Sequence, residues 1–498
     1  MSLSVAQRAA AGPSYRVNPY RRTKVPSAFE LHLMNRLGCG YSRATWAQMR
    51  RAGGATQWFE KQLRPAGIEE NRLASSLDGW FPGFDDSLRR RWQRHTANDK
   101  GAWEYARELG NLAMLRRMYT NRQLQETMVD FWSNHMHVKA NGDLAWIHRY
   151  EYDQTIRRHA LGRFDELLTA TSLHPAMLLY LNNWQSVRDA PNENQGRELL
   201  ELHTVGRTSG YTEQMVKDSA KILSGWTVDA YDSWQGFYDP ERHTTGPVQV
   251  LGFKADNASA DGRQLARDYL HYLAHHPATA RTIARKLAIR FVSDTPSDDL
   301  VNHLASVFRR SGTSIKATLR ALVAHPEFRR SSGAKVRTPI EDMIASVRAL
   351  QVVSQRPRTR QDSFADRISW VHQSMFLYHW PRPDGPPETN PAWASATRML
   401  TSFKMHWNMA VGYWPSVDVT YKKPHYWLPQ RRIRFDAYVD HLCRMWLGHG
   451  STSRLLAAAC QATDTRPGEV ITRQHPIAGW LFVRLAAALL DTPEHMTR

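Results

Sequence analysis

Three carboxylates, an arginine and a histidine crowd into "NENQGRELLELHTVG" at 192–206, interleaved with Leu199, Leu200 and Leu202. Glu198 and Glu201 lie three residues apart and share a face if the stretch is helical. The leucines draw such a helix onto a core and bring Glu198 to the core's boundary. A partly desolvated, unpaired carboxyl holds its proton to higher pH, which suits acid–base work or metal ligation. Arg197 stands four residues from both Glu193 and Glu201, so ordinary salt bridges explain the same pattern without chemistry. His203 is five residues from Glu198, a poor pairing on an α-helix, and ranks below it.

A second cluster lies in "FWSNHMHV". Leu124, Met128, Phe131, Trp132 and His135 trace one apolar helical face. A histidine there is ordinarily a core residue held by one hydrogen bond. The functional reading makes His135 a general base or a metal ligand, its tautomer fixed by a neighbour. His137, two residues on, points elsewhere unless the helix ends at that point. A third candidate, His243 in "DPERHTTG", sits on a loop framed by Trp226, Trp234, Phe237 and Tyr238. A loop that aromatic packs down, and we expect it as a lid over the other two clusters. The predicted catalytic residues are Glu198, His135 and Glu201. The predicted binding residues are Asn134, Glu193, Arg197, His203, His243 and Trp226. A divalent metal held by His135, Glu198 and His243 is the cofactor such a set would take.

The elements that must position these residues read as helices. Asn192 is placed as the N-cap and Gly206 as the stop of the charged helix, and Thr212 caps the next. Segment 226–253 is aromatic and β-branched with Gly and Pro, which predicts a small hairpin or ordered loop. Helices resume at 261–293, 297–310 and 314–325, and "HWPRPDGPPETNP" is a long Pro-rich loop. The expected fold is mostly α, a multi-helix assembly with one small β-hairpin or ordered aromatic loop insertion. Residues 1–26 read as a flexible basic arm, 27–334 as an N-terminal helical domain, and 335–498 as a C-terminal helical subdomain packed on the first.

Lys and Arg exceed Asp and Glu by 19, which favours polyanions as partners, although base bias in a genome yields the same excess. Three scattered cysteines, Cys39, Cys443 and Cys460, offer neither zinc spacing nor a disulfide framework. The longest apolar run, "WLFVRLAAALL", is too short to span a bilayer, and the N-terminal stretch has no apolar signal core. Cytoplasmic residence is therefore expected, with export carried by a partner as the alternative. There is no P-loop, nucleophile elbow, HExxH or recognisable nucleic-acid module.

The blocks "FWSNHMHV", "NENQGRELLELHTVGRTSGYTEQMV", "LSGWTVD", "FYDPERHTTGPVQVLG", "HHPATARTIARKLAIRFV" and "LRALVAHPEF", in that order, resemble a bacterial family catalogued as domain of unknown function eighteen hundred. The resemblance runs from about residue 28 to 498 and implies a mostly helical protein. It also implies a companion, because members often accompany an exported alkaline-phosphatase-like or sulfatase-like protein. Many members carry export signals, which this chain does not show. Asn182 stands where the family often has an acid. The leading functional expectation is an enzyme, hydrolase or transferase, acting on an anionic or polyhydroxylated envelope polymer. The alternatives are a non-catalytic scaffold for the phosphatase-like companion and a polyanion- or nucleic-acid-binding protein.

Overall fold

The computed structural model describes residues 15–358, 362–372 and 375–498. Its helices start where the sequence supplies caps. Thr212 Oγ1 accepts from Met215 N at 3.3 Å, and Ser27 and Thr338 form capping boxes with Glu30 and Glu341. Four His-Pro dipeptides serve the same end. His174, His276, His325 and His475 each accept, through Nδ1, from the backbone N–H two residues on, at 3.1–3.3 Å. The proline that follows needs no partner for a missing N–H.

Two hydrophobic clusters organise the chain. One gathers residues from Leu33 to Phe328; the other gathers Ile340 to Leu490 and also recruits Leu77, Trp80, Leu109, Leu112 and Met118. The Ala102–Tyr119 helix lies between them, with Tyr105 in the first cluster and Leu112 in the second. A helix buried on all sides shows no amphipathic stripe, so its bridging position has no periodic signature. Four antiparallel two-stranded pairs complete the fold. Trp226–Val228 pairs with Gly236–Tyr238 and Val248–Val250 with Phe253–Ala255, so the expected single hairpin region holds two. The other two pairs, Val353–Ser354 with Val419–Thr420 and Ile433–Arg434 with Val470–Ile471, join distant segments too short to carry a strand pattern.

Part of the expected N-terminal arm is not free. Residues 1–14 lie outside the described residues, but 15–26 are docked on the Phe435–Trp446 helix. Asn18 Nδ2 donates to Asp436, Tyr20 N to Asp440 and Thr23 Oγ1 bonds His441 Nδ1, at 3.0, 2.6 and 2.7 Å. Carboxylates on that helix give the arm's polar groups partners, which a reading of Pro and Arg content did not weigh. Among the described residues no helix is long and apolar enough to cross a membrane.

Candidate functional site

The Gln123–His135 helix buries the predicted face: Leu124, Met128, Phe131, Trp132 and His135 are all core residues. Trp132 Nε1 donates to Ala160 O at 3.0 Å and anchors the last turn. The helix ends at His135, which lets His137 turn back toward the same region. His137 Nε2 meets Trp380 O at 3.0 Å.

The charged stretch is not one uniform helix. Asn194–Glu198 is α-helical and Leu199–His203 is a π turn. Glu193, not Asn192, occupies the N-cap position, while Asn192 Oδ1 accepts from Asn194 N at 3.0 Å. Gly196 lets this helix press against the Glu213–Leu223 helix: a Cβ there would lie 2.9 Å from Ala220 N. A π turn closes i→i+5 and so stacks residues five apart more nearly in line than an α-helix does. It also widens the backbone where His203 and Leu202 offer their carbonyls inward.

Those carbonyls complete a constellation that includes one residue the sequence reading passed over. His135 Nε2 bonds His203 O at 3.1 Å, so Nε2 carries the ring proton. Nδ1 is left as an acceptor, and Lys286 Nζ donates to it at 2.9 Å. Lys286 also donates to Leu202 O at 3.2 Å. Lys286 comes from the Pro277–Phe291 helix, which His276 caps. Among the described residues no carboxylate lies within ion-pairing distance of it. Burial pulls the Lys286 ammonium down to about 8, against a weaker pull upward from Asp384 and Glu388. Burial and the adjacent Lys286 hold His135 well below the usual histidine range. Burial, with Lys286 and His137 nearby, brings His203 to about 3, and its Nε2 is buried without a hydrogen-bond partner. These histidines are neutral at physiological pH and resist protonation, so they present lone pairs and N–H donors rather than added charge.

A cavity of about 280 Å³ opens over this group, lined by Phe131, Asn134, His135, Lys286, Asp384 and Glu388 among others. Its far wall is the Pro-rich loop. Gly385, at φ +71°, passes so close to the Gln123–His135 helix that a Cβ would collide with Asn134 O. Only glycine tolerates both the left-handed backbone and that approach. The loop is also pinned by ions: Arg290 pairs with Glu388, Asp130 and Glu341 at 2.8, 2.8 and 3.0 Å. Two wider grooves, about 610 and 590 Å³, lie near Gln48 and Asn121, and neither is lined by a histidine. The smaller cavity is the one that brings together a histidine and a lysine whose proton affinities burial lowers.

The predicted residues fare differently. Glu198 is half-buried, and burial, then Glu201, raises its pKa; no ion pair or hydrogen bond to it is found among the described residues. Glu198 is not among the residues that line the cavity; its link to it is a minor repulsion from Asp384 of the cavity wall. Glu201 is instead paired with Arg207 at 2.9 Å. Arg197 holds Glu193 at 3.4 Å, as the ordinary reading expects, but its second partner is Glu213 at 2.6 Å and not Glu201. His203 contributes its carbonyl and an unpartnered ring nitrogen. Asn134 lies in the cavity wall, 3.5 Å from Glu388 through Nδ2.

His243 and Trp226 do not join them. The hairpins fold onto the Glu213–Leu223 helix, where Gln249 N donates to Asp218 at 3.0 Å. His243 is fully buried there, with Nδ1 against Ser224 O at 3.0 Å and Nε2 against Asn257 Oδ1 at 2.8 Å. Trp226 packs edge-on to Tyr238 at 5.5 Å. The expected lid is thus a packed corner, because its polar groups find partners within it. The expected metal set of His135, Glu198 and His243 does not fit either. Both ring nitrogens of each histidine are engaged, and one faces an ammonium. Among the described residues the side chains that gather ligand atoms are Asp165, His271 and His275, and Asp342, His406 and His495.

A family model described as "Protein of unknown function (DUF1800)" matches residues 32–497. No curated protein and no solved structure matches the chain.

Proposed function

This chain belongs to the DUF1800 family of proteins of unknown function, and we propose that it is an acid–base enzyme, hydrolytic or group-transferring, centred on Lys286. The observation that carries this reading is a lysine in a cavity wall, bonded to a neutral histidine, with no carboxylate among the described residues to fix its charge. Such a lysine is an amine for a sizeable fraction of the time near pH 8 and acts as a general base or nucleophile. His135 Nδ1 accepts from Nζ and so holds the amine in place. Glu198 is the nearby carboxyl that retains a proton to higher pH than usual and serves as the complementary acid. The proposed substrate class is an anionic or polyhydroxylated envelope polymer. The net charge of +19 draws polyanions, and Asn134, Asp384 and Glu388 line the cavity with hydrogen-bonding groups. The test is a panel of envelope polysaccharides and peptidoglycan fragments, with new chain ends scored by mass spectrometry for wild type and Lys286→Ala. Turnover by wild type alone supports the reading. Equal, background-level release by both proteins on every polymer rejects it.

A second reading, a scaffold for a partner protein, draws on one feature. Leu400, Trp407 and Val411 are exposed along the Ala396–Val411 helix at spacings of seven and four, with Tyr413 just beyond. An apolar stripe of this kind fits a protein interface. If Trp407→Ser with Val411→Ser abolishes function in the native cell while Lys286→Ala does not, the scaffold reading replaces the enzymatic one.

A further inference from the structure

Away from the cavity, Asp165, His271 and His275 converge from two helices. Asp165 lies in the first turn of the Phe164–Ser172 helix, and the histidines stand four apart at the end of the Arg263–His275 helix. One ligand atom from each lies within 4.8 Å of the others. Asp165 Oδ2 is 3.5 Å from His271 Nδ1 and 3.9 Å from His275 Nε2. Ligands of a tetrahedral zinc with bonds of about 2.1 Å sit roughly 3.4 Å apart, so only small shifts are needed.

Two further features prepare the group. His275 Nδ1 bonds the His271 carbonyl at 2.9 Å, which places the ring proton on Nδ1 and leaves the Nε2 lone pair facing Asp165. Asp165 Oδ1 accepts from Glu166 N and Thr313 Oγ1, at 2.9 and 3.1 Å, so the carboxylate is held with Oδ2 turned toward the histidines. The competing cation is Arg163, whose Nη2 lies 3.1 Å from Oδ2. That side chain is 43% exposed and can swing into solvent. We propose that Asp165, His271 and His275 form a binding site for a borderline divalent transition metal, zinc foremost, that clamps the Phe164–Ser172 and Arg263–His275 helices. Two imidazoles and one carboxylate suit such an ion better than calcium or magnesium, which favour oxygen ligands. Three protein ligands also leave a coordination position for water or an external ligand.

By contrast, the Asp342, His406 and His495 cluster is already neutralised. His406 contacts Asp342 and Asp491 at 3.2 and 2.6 Å, and Arg398 adds a further cation at 3.4 Å from Asp342. A metal there would have to displace a buried ion network.

The test titrates zinc or cobalt(II) into the full chain, stripped with chelator, against a chromophoric competitor. The expected result is saturable binding near one equivalent, a cobalt spectrum of low-symmetry ligation, and at least a tenfold loss of affinity in His271→Ala and in His275→Ala. Arg163→Ala, which removes the competing cation, should bind more tightly than wild type. Because Asp165→Asn could disturb the helix start, the histidine and arginine variants carry the test. Absence of binding overturns the proposal, and so does binding that neither histidine variant weakens, since the chain has other histidines that hold metal adventitiously.

Discussion

His135 and His406 are both buried imidazoles, yet they titrate in opposite directions. His406 lies between Asp342 and Asp491, and those carboxylates, outweighing burial, raise it to about 9. His135 faces the Lys286 ammonium, and burial adds to that repulsion. The cations follow the same division. Arg290 is fully buried and pairs with three carboxylates, which hold its pKa well above normal. Lys286 has hydrogen bonds but, among the described residues, no ion pair. One region is a closed network whose charges are fixed; the other keeps bases neutral beside a cavity. Burial alone does not distinguish them. The balance of partner charges does, and only the second arrangement leaves a group free to change protonation during a reaction.

The comparison breaks most visibly at Lys286. Lys286→Ala should cost about two to four orders of magnitude in turnover, the usual range for a positioned acid–base group, while circular dichroism stays unchanged. In the network the loss should appear as stability. Asp342→Ala leaves His406 with Asp491 as its remaining carboxylate but strips the buried Arg398 of its ion pair, and should cost about 3–5 kcal/mol, read from denaturant midpoints. If Asp342→Ala left stability intact but removed activity, the assignment of the two regions would be reversed.

Next in size is a pH effect of opposite sign in the two regions. His406 has a folded pKa above its ordinary 6.5, so its stabilisation is complete below about pH 6.5 and is lost as pH rises through about 9. His135 is held neutral in the folded chain. Below about pH 6.5 the unfolded chain binds a proton that the folded one refuses, so acid lowers stability there. Lys286, depressed to about 8, adds stability as pH rises above 8 and offsets the His406 loss there, so His406→Asn should remove the fall of the urea midpoint between about pH 6.5 and 8 while leaving the acid decline below 6.5. A variant that flattened the acid side instead would contradict the assignment. The smallest contrast separates two neighbouring carboxylates. Glu201→Gln loses a pair with the exposed Arg207, worth under about 1 kcal/mol, and should keep activity. Glu198→Gln should lower turnover about tenfold or more. Equal effects would remove Glu198 from the site.

The helical fold was legible because caps and apolar stripes are local signals, and the face from Leu124 to His135 packed as its spacing indicates. The half-buried position of Glu198 at the core's edge was legible for the same reason, through the leucines beside it. Lys286 was not. In "ARKLAIRF" it reads as one more solvated cation on a basic amphipathic helix, and only the spacing of Lys286 and Arg290, four apart and three on from the buried Ile283, hints that both face inward. The Pro-rich loop was legible as a loop but not as a cavity wall, because that role depends on how Gly385 meets a distant helix end. His203 was ranked low on α-helical geometry, which the π turn does not obey. His243 misled because an aromatic loop looks the same in sequence whether it covers a site or satisfies itself.

The most direct measurement is the titration of Lys286 itself. Competitive labelling with a small acylating reagent from pH 6 to 11, read by mass spectrometry on the peptide carrying Lys286, gives its apparent pKa in the folded chain. The expected midpoint is about 8, below the ordinary lysine value of about 10.4, with exposed lysines of the same protein labelled in parallel as internal references. A Lys286 midpoint at the reference value would show an ordinary ammonium in the cavity wall, and the acid–base assignment would fall with it.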